Sequence, residues 1–137
     1  MKSNNVIKDK SFAFALRIVK MYQYLADEKR EYVLSKQLLR SGTAIGALVR
    51  EAEQAESKAD FIHKMAIALK EANESDYWIE LLYRGDYLDQ KSYQSIQADL
   101  AELLKIPHVM WPDDSPIRDE GTPLPVTCTE NFGPELT

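Results

Sequence analysis

The placement of proline constrains this chain more than any other feature. All six prolines (Pro107, Pro112, Pro116, Pro123, Pro125, Pro134) follow Ile106. Proline removes an amide donor and clashes with the preceding helical turn, so a long stretch without it lets helices run uninterrupted. Six prolines in the last 31 residues read instead as irregular chain. Two regions follow, a helical body over 1–106 and an irregular acidic tail over 107–137. Charge divides at the same boundary. The chain carries 17 Lys+Arg and 22 Asp+Glu, a net charge of −5. The tail holds one base, Arg118, and six acids (Asp113, Asp114, Asp119, Glu120, Glu130, Glu135), which leaves the body with 16 of each sign. A negative total speaks against a nucleic-acid partner, but that acidity belongs to the tail.

Apolar residues recur at helical period four times in the body. The first segment spans about Lys10 to Asp27, with Phe12, Ala15, Ile18, Val19, Tyr22 and Leu25 as its stripe and Ser11 as its N-cap. The polar run Asp27 to Arg30 suits a short connection. The second segment, about Glu31 to Glu56, places Leu34, Leu38, Ser41, Ile45, Leu48, Ala52 and Ala55 three and four apart. That seven-residue repeat predicts near-parallel packing against other helices. The third segment, about Ala59 to Arg84, opens on Ser57-Lys58-Ala59-Asp60, the S-x-x-D form of a helix start. Phe61, Met65, Ala68, Ala72, Ile79 and Leu82 mark its inner face, widened by Ile62, Leu69 and Leu81, and Gly85 stands at its C-terminal cap. The fourth starts near Ser92, carries Tyr93, Ile96, Leu100, Leu103 and Leu104, and stops at Pro107. The fold expected is all-α, an antiparallel up-down four-helix bundle with an irregular Pro-rich tail. The fourth helix is shorter than the second and third, so one end of that long pair needs other cover. Val109, Met110 and Trp111, or a neighbouring subunit, are the candidates.

Several function classes find little support. The N-terminus has no uninterrupted apolar core, and no run approaches the roughly 18 apolar residues of a membrane span. No membrane partner is expected, and the cytoplasm is the expected location. A di-iron bundle needs Glu from two helices and a Glu-x-x-His pair from each of the other two. The body has only His63, with Asp60 three residues before it, so neither a metal nor another cofactor is expected. The five glycines form no phosphate loop. Cys128 has no helical His partner that would make it a nucleophile. Glu71, Glu74 and Glu80 read as a solvated helix face. No catalytic residue is assigned, and the chain is read as a non-enzyme.

Residues 35–88, SKQLLRSGTAIGALVREAEQAESKADFIHKMAIALKEANESDYWIELLYRGDYL, carry a recognisable order of motifs. Arg40-Ser41 precedes Ile45. Glu51 lies near the helix end. The KADF start, the ALKEA segment (Ala68 to Ala72), the stretch Tyr77 to Leu82 and the turn Gly85 to Leu88 follow. This order resembles the four-helix bundle protein family founded on proteins encoded by intervening sequences within bacterial 23S ribosomal RNA genes. The resemblance extends over residues 10–106. It implies an antiparallel up-down bundle that forms ring-like homo-oligomers, pentamers above all. Members usually continue helix four past the point where this chain turns to Pro107. The tail has no counterpart there, and a natural extension or a shifted reading frame both account for it.

Two sets of residues are candidates for contact. Gly42 and Gly46 lie beside the stripe of the second segment; each Gly costs about 1 kcal/mol against Ala inside a helix, so something approaches the backbone closely there. A neighbouring helix or a subunit contact would explain them. Arg40 and Glu51 flank the stripes and read either as a partly buried charged contact fixing register or as a ligand contact. Lys36, Arg40, Thr43, Ala47, Arg50 and Gln54 form one further face, on which Lys36, Arg40 and Arg50 could track phosphates of RNA or DNA. The family adds that relatives include a retroelement accessory protein that binds nucleic acid. Two roles therefore stand: a self-associating bundle without catalysis, or a nucleic-acid-binding accessory protein linked to a ribosomal RNA intervening sequence or a retroelement.

Overall fold

A computed structural model describes residues 2–105, with side chains from Val6 onward. Four helices make up this part: α1 (Lys2–Asp27), α2 (Leu34–Glu53), α3 (Lys58–Arg84) and α4 (Gln90–Leu104). Each packs against the helix before and after it, and α4 returns to α1. Cross-contacts fix the directions. Gly42 of α2 meets Ile18 of α1, and Gly46 meets Ser11. Ser75 meets Ser41 and Lys64 meets Glu51, while Gln97 meets Asp76 and Tyr93 stacks on Tyr83. Lys10 pairs with Glu102 and Arg17 with Asp99. In every adjacent pair one number rises as the other falls, which is the antiparallel up-down bundle. The proposed tail from 107, and the cover assigned to Val109, Met110 and Trp111, lie outside the described residues.

The core follows from the helical period, with one shift of phase. In α1 the buried positions are Ile7, Ser11, Phe14, Ile18 and Leu25, with Met21 packed beside them. They are spaced four and three apart, as a bundle seam demands. Ser11 is therefore not an N-cap. It sits in the middle of a helix that begins eight residues earlier than expected, and its hydroxyl donates to the Lys8 carbonyl at 3.1 Å. Phe12 is likewise outside the core and half exposed, while Phe14 is buried. The polar Ser11 conceals the seam in the sequence, and two neighbouring Phe leave the phase ambiguous. The seam of α2 turns slightly toward Ser35, Gly42 and Val49. In α3 Ser75 is buried and Leu81 is exposed, so Leu81 does not widen the inner face. Ser75 donates to the buried Ser41 hydroxyl at 2.9 Å, so two polar groups satisfy each other across the α2–α3 contact.

Helix ends are held by specific groups. Ser57 caps α3 by accepting from the Asp60 amide at 3.0 Å, as the S-x-x-D pattern predicts. Asp89 caps α4 in the same way through Ser92, so that helix starts two residues before the expected point. Glu31 does not begin α2 but precedes it. Its buried carboxylate accepts the amides of Val33, Leu34 and Ser35 at 3.1, 2.8 and 2.7 Å. Burial alone would raise its pKa, but these bonds to the charged form hold it below the ordinary value. At the end of α3, Gly85 is the C-cap, yet Asp86 takes the left-handed conformation at φ 71°. The Tyr87 amide reaches the Leu82 carbonyl and the Asp86 amide reaches that of Tyr83, the paired bonds of a Schellman turn.

Candidate interface on the α1–α2 face

The candidate residues of α2 separate into three groups. Arg40 belongs to a network with α3. Its guanidinium hydrogen-bonds Glu74 and lies 3.5 Å from Glu71. Glu74 also accepts from the Trp78 indole at 3.0 Å. That indole bond leads in lowering the Glu74 pKa, and Arg40 lowers it further against the opposing effect of burial. Glu71 and Glu74 are thus turned toward Arg40 rather than forming a free solvated face, as their sequence spacing suggested. Periodicity places them on α3 but says nothing of what lies opposite. Glu80 pairs within its own helix with Arg84 at 3.0 Å. Glu51 meets Lys64 of α3 at 3.2 Å, but this carboxylate is more than half exposed rather than partly buried.

Gly42 and Gly46 form the second group. Both face α1 within the same chain. A Cβ on Gly42 would lie 2.9 Å from Ile18 Cγ1, whereas one on Gly46 would stand 3.5 Å from its nearest neighbour, the Ser11 carbonyl. Only Gly42 is a position of enforced close approach.

The third group faces outward. Lys36 projects from the first turn of α2 with no acidic partner among the described residues. The Arg50 guanidinium lies 5.3 Å from the centroid of the Phe12 ring, within cation–π range. Phe12 is 50% exposed, and Leu16, one turn further along α1, is 49% exposed. The register that pairs Ile18 with Gly42 and Ser11 with Gly46 brings Leu16 level with Thr43 of α2 and Phe12 close to the level of Ala47. One side of the α1–α2 pair therefore presents two large apolar side chains, small residues beside them and one cation. Sequence reasoning assigned Phe12 to the core and so missed this face. The signal was available as surplus, because α1 has more large apolar residues than one seam accommodates.

A polar cleft lies between α3 and α4, lined by Asp76, Glu80, Tyr93 and Gln97. Half-burial raises the Asp76 pKa. Gln97, donating at 2.6 Å, opposes the rise, and Glu80 adds to it. Among the described residues no group of three or more His, Cys, Asp or Glu side chains could hold a metal ion. His63 is exposed. Among the described residues no helix is long and apolar enough to cross a membrane.

Comparison with known proteins bears on this geometry. A family model described as 23S rRNA-intervening sequence protein matches residues 3–108. A crystal structure of a protein with unknown function from the S23 ribosomal protein family of Bacteroides thetaiotaomicron VPI-5482 is similar. It is 58% identical, with 76% of this chain and 93% of that chain covered and a TM-score of 0.75. No functionally curated protein matches.

Proposed function

The chain belongs to the 23S rRNA-intervening sequence protein family, and we propose that it works there as a self-associating helical bundle without catalysis. The observation that carries this reading is the exposure of Phe12 and Leu16 on one face of α1, beside Arg50 and the small residues of α2. Scattered exposed apolar residues are ordinary, but adjacent large ones flanked by a cation match the centre of a protein interface. The family resemblance supports a ring, with five copies as the expected stoichiometry and the cytoplasm as its location. The nucleic-acid alternative has less to draw on. Arg40 is engaged by Glu71 and Glu74, so the basic face retains only Lys36 and Arg50, about 21 Å apart along the helix.

Light scattering and sedimentation test the proposal. The expected mass is a multiple of 15.7 kDa, and Leu16→Glu is expected to return the protein to single protomers with its helical signal kept. A wild-type monomer at micromolar concentration overturns it. Retention of labelled RNA that weakens steeply with salt and with loss of Lys36 and Arg50 would favour the accessory role instead.

A further inference from the structure

The cleft between α3 and α4 lies across the bundle from the α1–α2 face and complements it. It holds about 220 Å³ of open volume, with Asp76 and Glu80 toward one end and Leu100, Ala101 and Leu104 toward the other. Half-buried Asp76 accepts a hydrogen bond from Gln97 but pairs with no cation among the described residues. Glu80 is paired with Arg84, yet its carboxylate stays nearly half exposed. The α1–α2 face is the converse. It projects Phe12 and Leu16, and its Lys36 has no acidic partner among the described residues. The register of the bundle sets these groups at matching heights. Ser41 of α2 meets Ser75 of α3. Lys36 is five residues before the one and Glu80 five after the other, so in antiparallel helices the two stand level. Lys10 pairs with Glu102 and Arg17 with Asp99. Counted from either pair, Phe12 and Leu16 fall within about one helical turn of Leu100.

We propose that the α3–α4 cleft receives the Phe12–Leu16 face of a second copy of this chain, with Lys36 of that copy reaching Asp76 and Glu80. The proposal rests on the self-association reading and supplies its second surface. Two observations select this unlike contact. The first is charge. Lys36 and Arg50 lie toward the two ends of the α1–α2 face. If that face met itself about a two-fold axis through its apolar centre, Lys36 would approach Arg50 of the other copy. The cleft meeting itself would oppose carboxylate to carboxylate. Crossing the two surfaces sets cation against carboxylate, and like charges brought together would penalise either alternative. The second is height. Apolar side chains meet apolar ones, and Lys36 meets the acids, when neighbouring bundles stand parallel with no offset along their axes. A contact with an axial offset climbs into an open helix, whereas one without it is free to close into a ring. Each copy then uses both surfaces, and every surface is covered only on closure.

Mixing two disabled variants of the full-length protein tests this. Leu16→Glu spoils the projecting face, and Ala101→Glu, at an exposed position of α4, spoils the cleft. Each alone is expected to be monomeric with its helical circular dichroism kept. Mixed at concentrations well above those at which the wild type assembles, they are expected to form a one-to-one dimer of twice 15.7 kDa by light scattering. That dimer should grow no further, because one intact pair of surfaces is all the two copies share. Lys36→Glu, an exposed substitution that leaves the core untouched, is expected to weaken assembly about tenfold or more. An Ala101→Glu variant that assembles to the wild-type mass overturns this inference and leaves self-association standing. So does a mixture that stays monomeric, and so does a Lys36→Glu variant that assembles as tightly as wild type. A wild-type monomer at micromolar concentration overturns both readings.

Discussion

Gly42 and Gly46 lie four residues apart on one helix, look alike in sequence, and are expected to respond oppositely to the same substitution. Gly46→Ala places a methyl 3.5 Å from its nearest neighbour, an ordinary contact. It keeps the gain from replacing a helical glycine, about 0.8–1.0 kcal/mol. Gly42→Ala places its methyl 2.9, 3.0 and 3.3 Å from Cγ1, Cγ2 and Cβ of Ile18. Ile18 is fully buried, and a β-branched side chain in a helix has essentially one χ1 rotamer, so it cannot swing aside. The α1 and α2 backbones must separate instead. Overpacking of this kind costs about 1–3 kcal/mol, and the stiffness of Ile18 puts this case in the upper half of that range. Set against the same propensity gain, the net is about 1–2 kcal/mol of destabilisation. The two variants should therefore differ by about 2–3 kcal/mol. Urea unfolding followed by circular dichroism measures this, with protomer concentration held fixed because association shifts apparent stability. Ile18→Ala supplies the control. It is costly alone, but combined with Gly42→Ala the losses should be less than additive, because the clash has been removed. Equal shifts for the two glycines, or a Gly42→Ala variant as stable as wild type, would refute the reasoning.

Two further outcomes concern ionisable groups. Glu31→Ala leaves three amides at the start of α2 without their acceptor and is expected to cost about 1–2 kcal/mol at neutral pH. Because the Glu31 pKa is lowered in the folded state, its contribution is present above the ordinary value of 4.5 and is lost as pH falls through the folded pKa, so the gap to wild type should narrow in acid. Asp76→Asn should do the reverse and stabilise the bundle at neutral pH. Burial raises the Asp76 pKa, so wild-type stability is highest below the ordinary 3.8 and declines as pH rises through the folded pKa. Melting temperatures across pH 3 to 7 check both, and an Asp76→Asn advantage that persisted undiminished at the acid end would contradict the second.

The sequence by itself determined how many helices the described residues form and in what order they run. Proline-free length, repeated apolar period and short polar connections are local properties, and each survives folding unchanged. Ser57-Lys58-Ala59-Asp60 fixed the start of α3 for the same reason, since an N-cap bond spans only three residues. Tertiary structure decided everything that depends on what lies opposite. The phase of α1 needed the register against Gly42 and Gly46 before Phe14 could be told from Phe12. Arg40 was a free cation on paper until α3 set Glu71 and Glu74 across from it. Glu31 gave no signal, because a glutamate is an unremarkable loop residue until the chain folds back over its carboxylate. A helical period records which side of a helix is apolar, but the assignment of an apolar side chain to core or to surface is made by the neighbour that packs against it.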